Sequence, residues 1–161
     1  MTETVTVGVL STHTSKESKA ICNAVADLGH EPEWLREENT AVSVDDGEVL
    51  LEPDVDVVAN RLLMSNATEP AEELGLAATL SRARPTLNEP TAVLTALHKF
   101  AAAVALSEAG LPVPDAFLAL APERLNDERR RYGPEAVYKT AIGTHGGGTW
   151  KIDADEPVNP T

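Results

Sequence analysis

The sequence holds a single cysteine, Cys22, so no disulfide can form within the chain. A reducing compartment, the cytosol, is the expectation. Cys22 lies in an apolar helical pattern and reads as a buried structural thiol. No group of Cys and His residues has the spacing of a metal site. No apolar run approaches the roughly 18 residues of a membrane span. The opening stretch, MTETVTVGVL, has neither a basic region nor a long apolar core, so no signal peptide is expected. Positive charge is scarce: 13 Lys and Arg face 26 Asp and Glu, a net charge of −13. Such a chain repels nucleic acid and anionic membranes, so neither is an expected partner. There is no internal repeat and no low-complexity tract.

Only five lysines are present: Lys16, Lys19, Lys99, Lys139 and Lys151. Acidic excess with so few lysines resembles proteins of salt-loving archaea, where screening tames self-repulsion; an ordinary acidic cytosolic protein is the plainer alternative. Either way, each remaining lysine becomes more informative. With 161 residues, 42% of them hydrophobic, the chain is long enough for one domain with a core, or a small domain plus part of a second.

The apolar pattern divides into a run of alternating elements and a differently ordered tail. Residues 4–10 read as a first strand. Thr14 and Glu17 have capping-box spacing ahead of a helix that carries Ile21, Val25 and Leu28 on one face, and Gly29 and Pro32 end it. EWL is a short second strand. TAVSVDDGEVLLE reads as a hairpin turning at Asp46-Gly47, and VDVVANR as a buried strand. Helices follow at 71–80, 91–97 and 99–109, with an extended RPTLN between the first two. Gly110, Pro112 and Pro114 stop the last of these. DAFLAL reads as a strand and Pro122 to Tyr132 as a polar helix. EAVYKTA and GTWKI read as strands flanking a glycine loop. Strands and helices alternate up to about residue 88, which implies α/β architecture with a parallel or mixed sheet. The later order is helix, strand, helix, hairpin. A boundary is expected between 88 and 98, giving domains 1–90 and 91–161.

The loop GTHGGG offers six consecutive backbone N–H groups with little side-chain bulk, a device that can converge on an anion. A flexible hairpin turn is the plain alternative. Gly143 and Gly148 have the glycine spacing of a P-loop, but Thr149-Trp150 follow where Lys-Ser or Lys-Thr should open a helix. The first strand-to-helix turn, STHTS, has no glycine, so a dinucleotide fingerprint is missing too. A glycine loop between two antiparallel strands can instead fold over phosphates as a flap. Lys139, on the strand leading in, would aim a cation at the same phosphates; a solvated strand lysine is the alternative.

Three segments then stand in order: VANR, TLNEP with LHKFAAAVALSEAGLPVPDAF, and AVYKTAIGTHGGG. Together they resemble the ATP-grasp ligases, specifically the branch that attaches glutamate to ribosomal protein S6 and its relatives. The resemblance covers about residues 55–152. It implies a small α/β domain that precedes the grasp, followed by the first, α+β lobe of the ATP-grasp domain. It implies an ATP-dependent carboxylate–amine ligase that works through an acyl phosphate, with ATP, Mg2+, a carboxylate substrate and an amino-acid acceptor as partners, and a possible homo-oligomer. By this resemblance Lys99 contacts the α-phosphate or the adenine side of ATP, and Lys139 the α- and β-phosphates. The backbone of Thr144, His145, Gly146, Gly147 and Gly148 covers the phosphates. His98 stands where the family commonly has Asp, and His145 where relatives often carry Gln or Ser.

The family's magnesium ligands lie in a second lobe beyond position 152. The expectation is therefore an N-terminal part of a longer ligase, not competent alone. The alternatives are a non-catalytic partner-binding α/β module or one chain of a split ligase. Arg61 is a candidate for the substrate side of the cleft or a surface ion pair. Arg129 to Arg131 read as a solvated charged face, and Trp34 and Trp150 as packing residues.

Overall fold

A computed structural model describes residues 3–62, 70–132, 135–142 and 148–153. The chain forms two compact units, Met1–Val93 and Leu94–Thr161.

The first unit is built on a four-stranded parallel sheet, β2-β1-β5-β6, made of β1 (Thr6–Leu10), β2 (Glu31–Leu35), β5 (Val57–Asn60) and the two-residue β6 (Thr86–Leu87). Helix α1 (Lys16–Asp27) connects β1 to β2, and α2 (Pro70–Ala83) leads from β5 towards β6. Between β2 and β5 the chain makes a separate antiparallel hairpin, β3 (Ala41–Asp45) and β4 (Glu48–Glu52). Its two-residue turn is Asp46-Gly47, both with positive φ (47° and 86°), the mirror-image turn whose twist matches the flanking strands.

The core follows from the period-two pattern of the strands meeting one stripe of α2. Leu10, Leu35, Leu51, Val55, Val58, Leu62, Ala77 and Leu80 form one buried cluster, with Val42, Leu76 and Ala83 packed against it. Ala77, Leu80 and Ala83 recur at helical spacing. Val9, fully buried as well, alternates to the other face of β1. Gly8 has no room for a side chain, because a Cβ there would lie 2.7 Å from Leu35 Cδ1.

Three local expectations need correction here. Helix α1 is capped by Ser15, not by a Thr14–Glu17 box: Ser15 Oγ accepts from Ser18 N at 3.0 Å. Leu28 does not join the inward face of α1. It is the C-cap residue and 76% exposed, while Ile21, Cys22 and Val25 are half-buried. Pro32 lies inside β2 instead of ending the helix, paired with Val7. That is tolerated because β2 is an edge strand, where a missing N–H leaves no ladder bond unmade. Gly29, at φ 81°, makes the stop alone.

The division between the units falls inside α3 (Pro90–Leu97). The second unit continues with α4 (Lys99–Glu108), α5 (Pro122–Arg129), a 3-10 turn at Arg130–Tyr132, and the antiparallel hairpin β7 (Ala136–Lys139) and β8 (Thr149–Ile152). Gly110 ends α4 at φ 74°. Residues 115–120, which read as a strand, form no ladder: the run is apolar from Ala116 to Leu120, but no described strand pairs with it. The described arginine side chains of α5 and its 3-10 turn are engaged. Arg131 pairs with Glu128 at 2.7 Å, and Arg129 donates to the Asp153 carbonyl. Among the described residues no single helix is long and apolar enough to cross a membrane.

Candidate functional site

The second unit gathers its chemistry at one end of the β7–β8 hairpin. Strand pairing places Val137 opposite Lys151 and Lys139 opposite Thr149 on one face, and Tyr138 opposite Trp150 on the other. Tyr138 and Trp150 stack, with ring centroids 5.6 Å apart and planes at 30°. Lys139 is therefore turned away from the aromatic pair and is exposed. It is the last residue of β7 before the glycine-rich connection.

Both limbs of that connection are fixed at their base. Thr140 N donates to Gly148 O at 2.8 Å, and Thr140 Oγ1 donates to Ile142 O at 2.9 Å. Gly148 must be glycine for two reasons. Its φ is +71°, and a Cβ would come within 2.3 Å of Thr140 Oγ1. Thr144, His145, Gly146 and Gly147 lie outside the described residues.

Helix α4 is tied to the same base. Lys99 N donates to Ala141 O at 2.8 Å, and Lys99 Nζ donates to Thr140 O at 2.9 Å. One residue thus holds two successive carbonyls, one with its main chain and one with its side chain. Just before it, His98 caps α4: the residue is extended (φ −81°, ψ 103°) and its Nδ1 accepts from Ala101 N at 3.2 Å. A histidine can serve as an N-cap acceptor only through an unprotonated ring nitrogen.

The structure therefore brings Lys99, Lys139 and Gly148 onto one hairpin base, together with Thr140 and Ala141, which the sequence did not single out. The remaining cations with described side chains in this unit are engaged. Lys151 pairs with Glu135 at 3.0 Å, Arg124 and Arg131 pair with Glu128, and Arg129 meets the Asp153 carbonyl. Among the described residues Lys139 has no hydrogen-bond or ion-pair partner.

Arg61 belongs to the first unit. It follows β5 at the carboxyl edge of the sheet, exposed, with its main-chain N–H on Leu10 O at 2.9 Å. It stands at the point where the strand order reverses about β1, the place where open parallel sheets take ligands. The carboxyl of Glu17 is held below its ordinary range, first by hydrogen bonding to its own main chain, then by Ser15 and more weakly by the charge of Arg61. Around this edge Asn60 is buried and ties β5 to the residue after β6, donating to Asn88 O at 3.3 Å. Thr12 donates to Glu73 Oε1 at 3.3 Å. Among the described residues no group of three or more His, Cys, Asp or Glu side chains could hold a metal ion.

No protein-family model matches the chain, and no curated protein matches it. Solved structures do. The RimK domain ATP-grasp protein from Sphaerobacter thermophilus DSM 20745 superposes with a TM-score of 0.68 at 21% identity, over 91% of this chain and 53% of that one. The ATP-grasp ligase PsnB, solved with a precursor variant, Mg and ADP, gives 0.63 at 19% identity, over 92% and 57%. D-alanyl-alanine synthetase A from Vibrio cholerae O1 biovar eltor str. N16961 gives 0.58 at 16%, over 93% and 52%. The chain thus spans about half the length of the solved structures it matches. At these identities the likeness is one of fold. The chain has the fold of about half of an ATP-grasp protein: a parallel-sheet α/β unit, then a unit of helices and a hairpin with a glycine-rich connection.

Proposed function

We propose that this chain is the nucleotide-holding part of an ATP-dependent carboxylate–amine ligase of the glutamate-ligase kind, with the rest of the catalytic apparatus supplied by a second lobe. The observation that carries the reading is Lys139, an exposed, unpartnered lysine among the described residues of a strongly acidic chain, at the mouth of a glycine-rich connection. The fold likeness supports it: PsnB is described with AMPPNP, ADP, Mg and precursor peptides.

In the reaction a carboxylate oxygen attacks the γ-phosphorus of ATP and ADP leaves. An amine then attacks the acyl carbon of the resulting acyl phosphate, and phosphate leaves. Lys139 would offset charge on the transferring phosphoryl side, and the loop N–H groups would cover the phosphates. Lys99 would hold the base of that connection at Thr140 and Ala141. Magnesium, which PsnB binds, finds no ligand set among the described residues, so no step is routed through it. Arg61, exposed at the sheet's carboxyl edge, would meet the substrate carboxylate.

Titration of an ATP analogue by calorimetry tests the reading. Lys139→Ala should weaken binding about 10- to 100-fold, the worth of one charge-assisted hydrogen bond. Because Lys139 is exposed, the melting temperature should hold. Unchanged affinity would remove Lys139 from the site. A second reading, a split ligase or partner-binding module, is favoured by the apolar side chains the second unit leaves exposed, such as Leu106, Leu118, Leu120 and Val137. Intact mass of the native gene product separates the two: a product of 30 kDa or more, roughly, fits both lobes on one chain, whereas 17.1 kDa puts the second lobe on a partner.

A further inference from the structure

The cap, the clamp and the loop stand in series. His98 Nδ1 accepts the Ala101 N–H and so fixes the first turn of α4. That turn begins with Lys99, whose main-chain N–H and ammonium hold the carbonyls of Ala141 and Thr140. Thr140 in turn closes the loop base through Gly148 O. A second proton on the His98 ring would turn its acceptor into a donor facing the Ala101 N–H, at the positive end of a helix. Lys99 follows it on α4, and Lys139 lies at the end of β7 beside the clamped carbonyls. Lys151, further along β8, is neutralised by Glu135. The described residues of α3 carry no charge, and among the described residues no carboxylate is hydrogen-bonded or ion-paired to His98.

We propose that His98 is a positioning residue for the base of the glycine-rich connection: its neutral ring holds Lys99 on Thr140 and Ala141, and a ring protonated on both nitrogens releases that hold. The direction follows from the ring's chemistry: an imidazole protonated on both nitrogens has no acceptor left for the Ala101 N–H. An Asn at this position keeps an acceptor that does not titrate there, and Ala keeps none.

The inference rests on the nucleotide-binding reading for its functional consequence but not for its structural one, so two readouts are needed. The first is hydrogen exchange of the Ala101 amide and the ¹⁵N signals of the His98 ring, followed by NMR in the whole chain without nucleotide, between about pH 8 and pH 5. Ala101 protection should fall in step with His98 protonation in the wild type. In His98→Asn it should stay flat, and in His98→Ala it should be low throughout. The second readout is the affinity for an ATP analogue over the same range. The nucleotide's own phosphates titrate nearby, so the difference between wild type and His98→Asn is what counts. The wild type should lose about 3- to 30-fold more than His98→Asn on acidification, the range set by the loss of one N-cap. Equal pH dependence of Ala101 protection in the two proteins overturns the proposal, whether or not nucleotide binds. A pH-dependent Ala101 signal without nucleotide binding in any variant upholds the positioning role and removes the nucleotide reading instead.

Discussion

The two units solve the problem of staying folded with different materials. In the first, nine apolar side chains between Val9 and Leu80 are buried, around a sheet covered by α2. In the second, no described residue reaches that state, and α4, apolar along most of its length, buries none of its side chains. Its order comes instead from directed polar contacts: the Lys99 clamp, the His98 cap, the Thr140–Gly148 closure and the ion pairs of α5. Full burial of one Leu or Val is worth about 1.5–3 kcal/mol, against about 0.5–1.5 kcal/mol for one hydrogen bond. The first unit is therefore a scaffold held by bulk. The second is a site held by geometry, and its hydrogen bonds converge on the base of one loop.

The largest effect should come from cutting the first unit's core. Leu80→Ala removes a side chain with no exposure and should cost about 2–5 kcal/mol in urea unfolding followed by circular dichroism. The matched change in the second unit, Leu106→Ala at 45% exposure, should stay within about 0.5 kcal/mol. Equal losses would erase the contrast. Gly148→Ala comes next. It combines a φ of +71° with a Cβ 2.3 Å from Thr140 Oγ1, and should cost about 1–3 kcal/mol locally. The readout is loss of amide protection at Thr140 while the amides of β1 and β5 keep theirs. Protection lost in both places would mean the units do not open separately. The smallest effect concerns Cys22. Burial pushes its thiol up from the ordinary value, so little thiolate is present near neutral pH. Alkylation at pH 8 should be slower than for a free thiol by a few-fold and should reach the free-thiol rate in urea. A fast reaction in the folded chain would mark Cys22 as open.

What the sequence made legible was whatever depends on neighbours in the chain. The Asp46-Gly47 turn, the glycine stops at Gly29 and Gly110, and the strands of the first sheet all rest on local backbone preference or a period of two. Residues 115–120 show the limit of the same logic. Their apolar run is real, yet a strand exists only when another chain segment supplies the ladder, and none of the described ones does. The site splits along the same line. Lys139 and the glycines stand next to one another in sequence and could be seen together. The hold of Lys99 on Thr140 spans 41 positions and has no local signature. His98 reads as a poor substitute for an acidic cap, yet the structure gives it that cap's role through a ring nitrogen.

The two tryptophans fall one to each unit, and their surroundings differ as the units do. Trp34 is half-buried in β2, its indole nitrogen shielded and the Arg36 guanidinium 4.0 Å from its ring centre. Trp150 is more than half exposed and stacked on Tyr138, two residues from the clamped end of the loop. The chain consequently contains one intrinsic fluorophore for its scaffold and another for its site, with Tyr138 placed as an energy donor to the second. Melting of one unit should be separable from melting of the other by emission wavelength in the unlabelled protein.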